Sequence, residues 1–160
     1  MKLRYPEIDD AFTIYNIFLE WNPYEKHDMG LIRGIFLEKL THHLLKKIYP
    51  NEKIYYESKI IIENYKSHDI DFIMKIKNIL KVYESKFSTK ALKRHQLDNF
   101  GDLLDKYTYT EIFLVFFERK KEVQKTMNKY VRNTKRKNTI KLLKNINLIT
   151  LENFIKNIQQ

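Results

Sequence analysis

The sequence predicts an α/β or α+β fold, with a central mixed sheet of about four to five strands covered by helices on both faces. Three observations lead to this prediction. Residues 28–48 have the apolar spacing of an amphipathic helix, two apolar runs flank a short polar turn at Lys77 and Asn78, and residues 111–118 form a buried-strand pattern. A chain order of helix, strands, helix, strand and helix is typical of one sheet covered by helices.

The first elements in chain order are helices. Residues 7–20 and 28–48 place apolar side chains at i, i+3, i+4 and i+7, so that each has one apolar face. Asp28 is a suitable N-cap for the second helix, and Pro50 follows its end. We therefore expect two amphipathic helices before the sheet.

The next run predicts an antiparallel meander of three strands. Residues 53–63 are rich in Ile and Tyr and predict the first strand, which a polar break from Asn64 to His68 ends. Residues 69–76 and 79–87 then form two strands around a tight Lys77–Asn78 turn.

The second half alternates helices and strands. Ser88 is a plausible cap for a helix that runs to Lys106, and the apolar run 111–118 predicts a buried strand. Residues 119–137 carry nine Lys or Arg against one Glu, which fits either a DNA-binding arm or a solvated helix. A strand at 140–149 and a short helix capped by Thr150 complete the prediction.

Length and composition favour one domain. The 160 residues contain three Gly, three Pro and no linker-like segment, so we expect a single domain over 1–160, with an N-terminal helical extension at 1–27 and a basic C-terminal region at 119–160. The absence of Cys excludes disulfides, thiolate zinc sites and cysteine nucleophiles. With neither a secretory signal nor a membrane-spanning run, the expected location is the cytoplasm, without membrane contact.

The formal net charge of +10 favours a polyanionic partner such as nucleic acid. Most of the basic residues are Lys, in a sequence that is also rich in Ile and Asn. An AT-rich coding sequence produces the same composition without any function. The charge is therefore compatible with DNA binding and also with codon bias alone.

The tetrapeptide YESK occurs twice, at 56–59 and 83–86, and only the second copy has the surroundings of a site. No acid on a neighbouring element is placed to pair with Glu57. If the hairpin turns at Lys77–Asn78, Asp71 lies opposite Glu84, where two like charges need a cation between them. Lys86 points to the same face as Glu84. We therefore expect Mg²⁺ or Mn²⁺ there, with Asp69 as the competing ligand to Asp71.

These residues resemble the D…(D/E)XK signature of the PD-(D/E)XK nuclease superfamily. The matching run goes from Asp71-Phe72-Ile73 to Val82-Tyr83-Glu84-Ser85-Lys86, with Ile70 in the place of the motif proline. Glu38 is similar to the helix acid of archaeal Holliday-junction resolvases, and 96–100 is similar to the QhxxY pattern of resolvase-like and RecB-like members. The resemblance covers roughly residues 30–118.

The resemblance implies a restriction-endonuclease-like core and a Mg-dependent DNA endonuclease, of the Holliday-junction resolvase kind, that works as a homodimer. It implies that Asp71, Glu84 and the main-chain carbonyl of Ser85 ligate the metal and that Lys86 assists the nucleophile. Glu38 would be a further catalytic acid. Hydrolysis at such a site proceeds by attack of a water on the phosphodiester.

DNA would be contacted at the start of the helix that follows the second YESK. Gln96, Lys90, Lys93 and Arg94 are the candidate nucleic-acid-binding residues, although the three cations also fit a solvated turn. Two other functions remain open: a non-catalytic nucleic-acid-binding protein with the same fold, and a helical interaction protein without a nucleic-acid partner. The adjacent His42 and His43 point in different directions on a helix and do not form a metal pair.

Overall fold

A computed structural model describes residues 26–118 and 120–150 of the chain. The expected helix at 7–20, the helix after Thr150 and nearly all of the N-terminal extension lie outside these ranges. The described helices are α1 (Lys26–Ile48), α2 (Arg94–Lys106), α3 (Lys120–Asn133) and α4 (Lys137–Asn145), with a 3₁₀ turn at Thr89–Ala91. The described strands are β1 (Ile54–Ser58), β2 (Ile61–Ile62), β3 (Tyr65–Lys66), β4 (Ile70–Ile76), β5 (Ile79–Lys86), β6 (Thr110–Phe116) and β7 (Asn147–Thr150).

Five strands form a mixed central sheet in the order β1-β4-β5-β6-β7. The β1–β4 and β4–β5 pairs are antiparallel, whereas the β5–β6 and β6–β7 pairs are parallel. Parallel strands need a crossover, and α2 supplies the one between β5 and β6, while α3 and α4 lie between β6 and β7. The α+β fold with a mixed sheet is therefore confirmed.

The β4–β5 hairpin has the register that its turn predicts. Ile76 lies opposite Ile79 and Phe72 lies opposite Tyr83, as a turn at Lys77–Asn78 requires. Lys77 adopts a left-handed φ of 55°, which a two-residue turn between twisted strands favours. This register decides which acidic residues can meet at the far end of the hairpin.

Successive side chains of a strand point to opposite sides, so the sheet has two apolar faces. Helices cover both of them. On one side, the α2 face, Ile73 and Val82 pack with the α2 residues Leu97 and Phe100. On the opposite side of the sheet, which we call the α1 face, strand residues pack against α1 in a second buried cluster. Its fully buried members are Leu44, Leu45, Phe72, Met74, Tyr83, Val115 and Ile149.

The predicted strand at 53–63 is wrong in its second half. β1 ends at Ser58, and β2 pairs with β3 in a small separate ribbon that occupies part of the expected break at 64–68. Glu57, near the end of β1, and Glu63, in the turn between β2 and β3, adopt left-handed φ angles of 43° and 46°. The run of Ile and Tyr is therefore divided between two sheets.

The helix expected from Ser88 begins later. Ser88 precedes the 3₁₀ turn and makes no side-chain cap hydrogen bond, and α2 starts at Arg94. The amide of Gln96 provides the cap instead, by accepting the Lys93 N–H at 3.0 Å. The buried strand expected at 111–118 is confirmed as β6, within two residues of the predicted bounds.

The strand predicted at 140–149 is also wrong over most of its length. Residues 137–145 form α4, and only 147–150 form a strand, β7. α4 packs tightly on α2, since a Cβ added to Gly101 would lie 2.8 Å from the main-chain carbon of Asn138. A short apolar run is compatible with either helix or strand, and tertiary packing selects the helix here.

Most of the basic region folds as a helix. α3 spans Lys120–Asn133 and buries Val123 and Met127 against the α2 face. The helical backbone is compatible with both alternatives for this region, so DNA binding by its basic side chains stays a prediction. Within the described ranges, no helix is long and apolar enough to cross a membrane.

Candidate active site

Glu84 is the centre of the site. Its side chain, on β5, is only 1% exposed. Oε1 lies 2.6 Å from Nζ of Lys86 and accepts a hydrogen bond of 2.9 Å from Nε2 of Gln96. A carboxylate is seldom buried unless it is paired, and these two donors provide the pairing.

Asp71 lies beside Glu84 because the hairpin opens there. The β4–β5 ladder runs from Ile76 only as far as Phe72 opposite Tyr83. Beyond that pair, Oδ2 of Asp71 accepts the main-chain N–H of Ser85 at 2.6 Å. The carboxylate of Asp71 is thus fixed against β5 next to Glu84, as the register predicts.

The two carboxylates differ in their affinity for a proton. Burial and the neighbouring charge of Glu84 raise the pKa of Asp71 to about 7, against the opposing effects of Lys86 and the Ser85 N–H. Burial would also raise the pKa of Glu84, but the His68 imidazole and the Lys86 ammonium outweigh it and hold that pKa below its usual value. Near neutral pH, Glu84 is therefore ionised and Asp71 is partly protonated.

Lys86 is charged despite being largely buried. Burial alone would lower its pKa, but the charges of Glu84 and Asp71 outweigh that effect and raise the pKa. The ammonium therefore stays positive between two acids, which is the arrangement expected from the second YESK.

Glu38 joins the site from α1. Tyr56, on β1, donates a hydrogen bond of 3.1 Å to Oε2 of Glu38. Burial, followed by the charge of Glu38, raises the pKa of Tyr56 to about 12, so that the phenol remains a donor at neutral pH. The charge of Glu38 also acts on the pKa of Asp71 and Lys86, which places this acid near both.

His68 completes the group. Its ring packs edge-on against Phe100, with 4.8 Å between centroids, and its Nε2 lies 3.6 Å from Oε2 of Glu84. That separation is slightly too long for a hydrogen bond. Both ring nitrogens and Oε2 are buried without a hydrogen-bond partner, so polar atoms with unused bonding capacity face each other inside the site.

The first YESK contributes only its tyrosine. Tyr56 holds Glu38, whereas Glu57 is exposed and has the left-handed backbone described above. Lys59 lies 3.0 Å from Asp69, which is 65% exposed. Asp69 therefore faces Lys59 rather than Lys86 and lies outside the acid cluster.

The remaining candidates lie around the site. Lys90, Lys93 and Arg94 are exposed on the 3₁₀ turn and the start of α2, next to Gln96. His42 is half-buried and stacks on Phe72, and burial followed by nearby lysines lowers its pKa. No group of three His, Asp or Glu side chains within 26–118 and 120–150 is arranged to hold a metal ion.

Sequence reasoning did not predict the side-chain contacts that Tyr56, His68 and Thr41 make. Thr41, on α1, lies 3.2 Å from the buried Ser85 hydroxyl and ties that helix to β5. The position of His68, three residues before Asp71, was the available signal for its place at the mouth of the site. Tyr56 lies on the part of the strand that was predicted, but the register of β1 against β4 was not predicted.

Together these features define an α+β protein whose mixed sheet carries a cluster of acids and a lysine around the buried Glu84, where its central hairpin opens. No protein-family profile matches the chain, and no curated protein is similar to it in sequence. Among solved structures, the fold is similar to protein VC1899 from Vibrio cholerae, with a TM-score of 0.51 and 16% identity. The match covers 85% of this chain and 34% of that protein, so the chain spans about a third of its length. At this identity the likeness concerns the fold alone.

Proposed function

We propose that this protein is a metal-dependent nuclease that hydrolyses phosphodiester bonds in DNA. The observation that carries the proposal is the convergence of Asp71, Glu84 and Lys86 where the β4–β5 hairpin opens. Burying two carboxylates side by side costs stability. A catalytic role explains why the chain retains such an arrangement.

A hard divalent cation fits the donor set. Asp71 and Glu84 offer carboxylate oxygens, one of which, Oε2 of Glu84, is buried without a hydrogen-bond partner. The Ser85 carbonyl is the third ligand that the resemblance implies. Mg²⁺ commonly binds through one or two carboxylates and keeps several waters, so a cluster of three acidic side chains is not required. A bound Mg²⁺ or Mn²⁺ would polarise the phosphate and activate a water.

The protein side chains would have distinct tasks. The raised pKa of Lys86 keeps its side chain positively charged at neutral pH, and this charge can stabilise the charge that develops on the phosphate oxygens. Gln96 fixes one oxygen of Glu84 through its 2.9 Å hydrogen bond. Tyr56 restrains Glu38 near Asp71 and Lys86. Each acid of the site is thus oriented by a neighbour.

DNA is the proposed substrate because of the net charge of +10 and the exposed Lys90, Lys93 and Arg94 beside Gln96. Activity on four-way junctions, a homodimeric state and a cytoplasmic location are further parts of the proposal that rest on the resemblance.

The test is cleavage of labelled four-way junction, linear duplex, single strand and RNA with Mg²⁺, Mn²⁺ or EDTA. The chain offers a matched control, because Glu84→Gln and Glu57→Gln make the same change in the two YESK copies. We expect metal-dependent cutting that Glu84→Gln abolishes and Glu57→Gln preserves. Equal cutting by both variants would exclude Glu84 as a catalytic ligand and overturn the proposal.

The second candidate function is a nucleic-acid-binding protein without hydrolytic activity. It is favoured by the absence, among the described residues, of three acidic or imidazole groups arranged around one metal position. Such a protein would bind DNA equally well in EDTA and would cut none of the substrates. Its affinity would fall with salt as expected for phosphate contacts.

A further inference from the structure

A cavity lies next to the segment that carries Gln96. It is open to solvent on one side, is lined by residues of the 3₁₀ turn, α2, α3 and α4, and has a volume of about 290 Å³. None of the proposed catalytic residues lines it. Its apolar lining includes the buried Leu97 and the half-buried Leu143, and Tyr130 contributes an aromatic ring.

Three cations surround this cavity. Lys90, Arg94 and Lys129 all line it, and all three are exposed. They come from the 3₁₀ turn, α2 and α3, so their convergence depends on the tertiary fold. In the part of the chain that the structure describes, no carboxylate forms an ion pair with any of the three. Their charge is therefore available to a ligand.

Hydroxyl groups add polar partners deeper in the cavity. Thr89 is buried, and its hydroxyl lies 3.3 Å from that of Thr126. The Tyr130 hydroxyl donates to the Leu92 carbonyl at 3.0 Å, which fixes the ring in the wall. The walls are consequently held in place by contacts between α3 and the segment from the 3₁₀ turn to Leu92.

We propose that this cavity binds a nucleotide through its phosphate. The three cations would hold the phosphate, and the apolar and aromatic lining would receive the sugar and base. The volume is at the lower limit of small-molecule sites, which span roughly 300–1,000 Å³, and so favours a single nucleotide over a longer ligand. The nucleotide is either a free mononucleotide or the 5′-phosphorylated end of a bound strand.

This site shares Lys90 and Arg94 with the proposed DNA-binding surface, but it contains none of the proposed metal ligands and would exist whether or not the protein cuts DNA. The two sites share the first turn of α2, since Arg94 and Leu97 line the cavity while Gln96 bonds to Glu84. Binding is therefore measured in EDTA, where hydrolysis does not interfere.

The experiment titrates the full chain with dAMP, with a short single strand that carries a 5′-phosphate, and with the same strand that carries a 5′-hydroxyl. Calorimetry measures each affinity for wild type, Lys129→Gln and Lys125→Gln. Lys125 lies one turn earlier on α3, is exposed and does not line the cavity, so the two variants lose the same charge from the same helix. Thermal unfolding checks that both remain folded.

We expect Lys129→Gln to weaken binding of a phosphorylated ligand roughly tenfold and Lys125→Gln to change it less than twofold. Binding of dAMP identifies the free nucleotide as the ligand, whereas binding of the phosphorylated strand alone identifies the strand end. Equal affinity for the phosphate and hydroxyl strands without binding of dAMP, no binding of any ligand, or equal effects of the two substitutions would overturn the proposal.

Discussion

Gln96 donates a hydrogen bond from Nε2 to Oε1 of the buried Glu84, at 2.9 Å. The other end of the same amide accepts the Lys93 N–H at 3.0 Å and so caps α2. One side chain therefore begins a helix and orients the central carboxylate of the site. The two roles can be separated by substitution, because one uses the amide oxygen and the other uses the amide nitrogen.

Gln96→Glu should keep the cap and lose the contact with Glu84. At pH 7 the new carboxylate would face the ionised Glu84, and we expect a loss of about 1–3 kcal/mol in the free energy of unfolding. At pH 4.5 the new acid can hold a proton and donate it to Glu84, so the loss should shrink. Urea denaturation at both pH values measures this. Gln96→Ala is the comparison, since it removes the cap and should cost a similar amount at both pH values.

Lys86→Met should strongly destabilise the protein, by about 3 kcal/mol or more, because it leaves Glu84 buried without its cation. The double variant Glu84→Gln/Lys86→Met should lose at least about 1 kcal/mol less than the sum of the single variants. Denaturant unfolding measures this coupling. Lys59→Met is the matched control from the first YESK, and its exposed pair with Asp69 should contribute about 1 kcal/mol or less. Additive effects of the two site substitutions would contradict the Glu84–Lys86 pairing.

Asp71→Asn should stabilise the metal-free protein at pH 8. The folded state raises the pKa of Asp71 from 3.8 to about 7, so between these values the folded chain holds a proton that the unfolded chain has released. The contribution of Asp71 to stability therefore falls as the pH rises from about 4 to 7 and stays low above it. Asn does not titrate. Thermal unfolding in EDTA should show a Tm gain of roughly 3–5 °C at pH 8 and much less at pH 4.5, and an equal gain at both would contradict the shift.

Gly101→Ala should destabilise the packing of α2 on α4. The added Cβ would lie 2.8 Å from the main chain of Asn138, which cannot move without shifting α4. We expect a loss of about 1–3 kcal/mol despite the better helix propensity of Ala. Gly34→Ala in α1 is the control, because its Cβ would meet no atom within 4 Å and should stabilise the protein by about 0.5–1 kcal/mol. Chemical denaturation of both variants tests the contact.

Local rules were sufficient for the hairpin and for most of the site. A two-residue turn fixes cross-strand numbering, so the approach of Asp71 to Glu84 followed from the position of Lys77–Asn78. Lys86 followed from strand alternation. Glu38 and Gln96 were found through the resemblance, and the structure places both with the acids.

The wrong predictions concern segments whose secondary structure is determined by tertiary contacts. The apolar residues of α4 suit a strand as well as a helix, and the close contact at Gly101 is invisible in the sequence. The division of residues 53–63 between two sheets follows from the pairing of β1 with β4 and of β2 with β3, which the run of Ile and Tyr does not reveal. Tyr56 reaches Glu38 through the register of β1 against β4, which was not predicted.

The order of assembly follows from the connectivity of β4 and β5. Their pairing closes a two-residue turn, whereas β6 and β7 join the sheet only after helical crossovers, so the hairpin is the least costly part of the sheet to form. It would bring Asp71 and Glu84 together within microseconds, before α1 delivers Glu38 or α2 delivers Gln96. The repulsion between the two acids then acts on the folding barrier itself. We expect Asp71→Asn to refold faster than wild type at pH 8, with little change in unfolding rate.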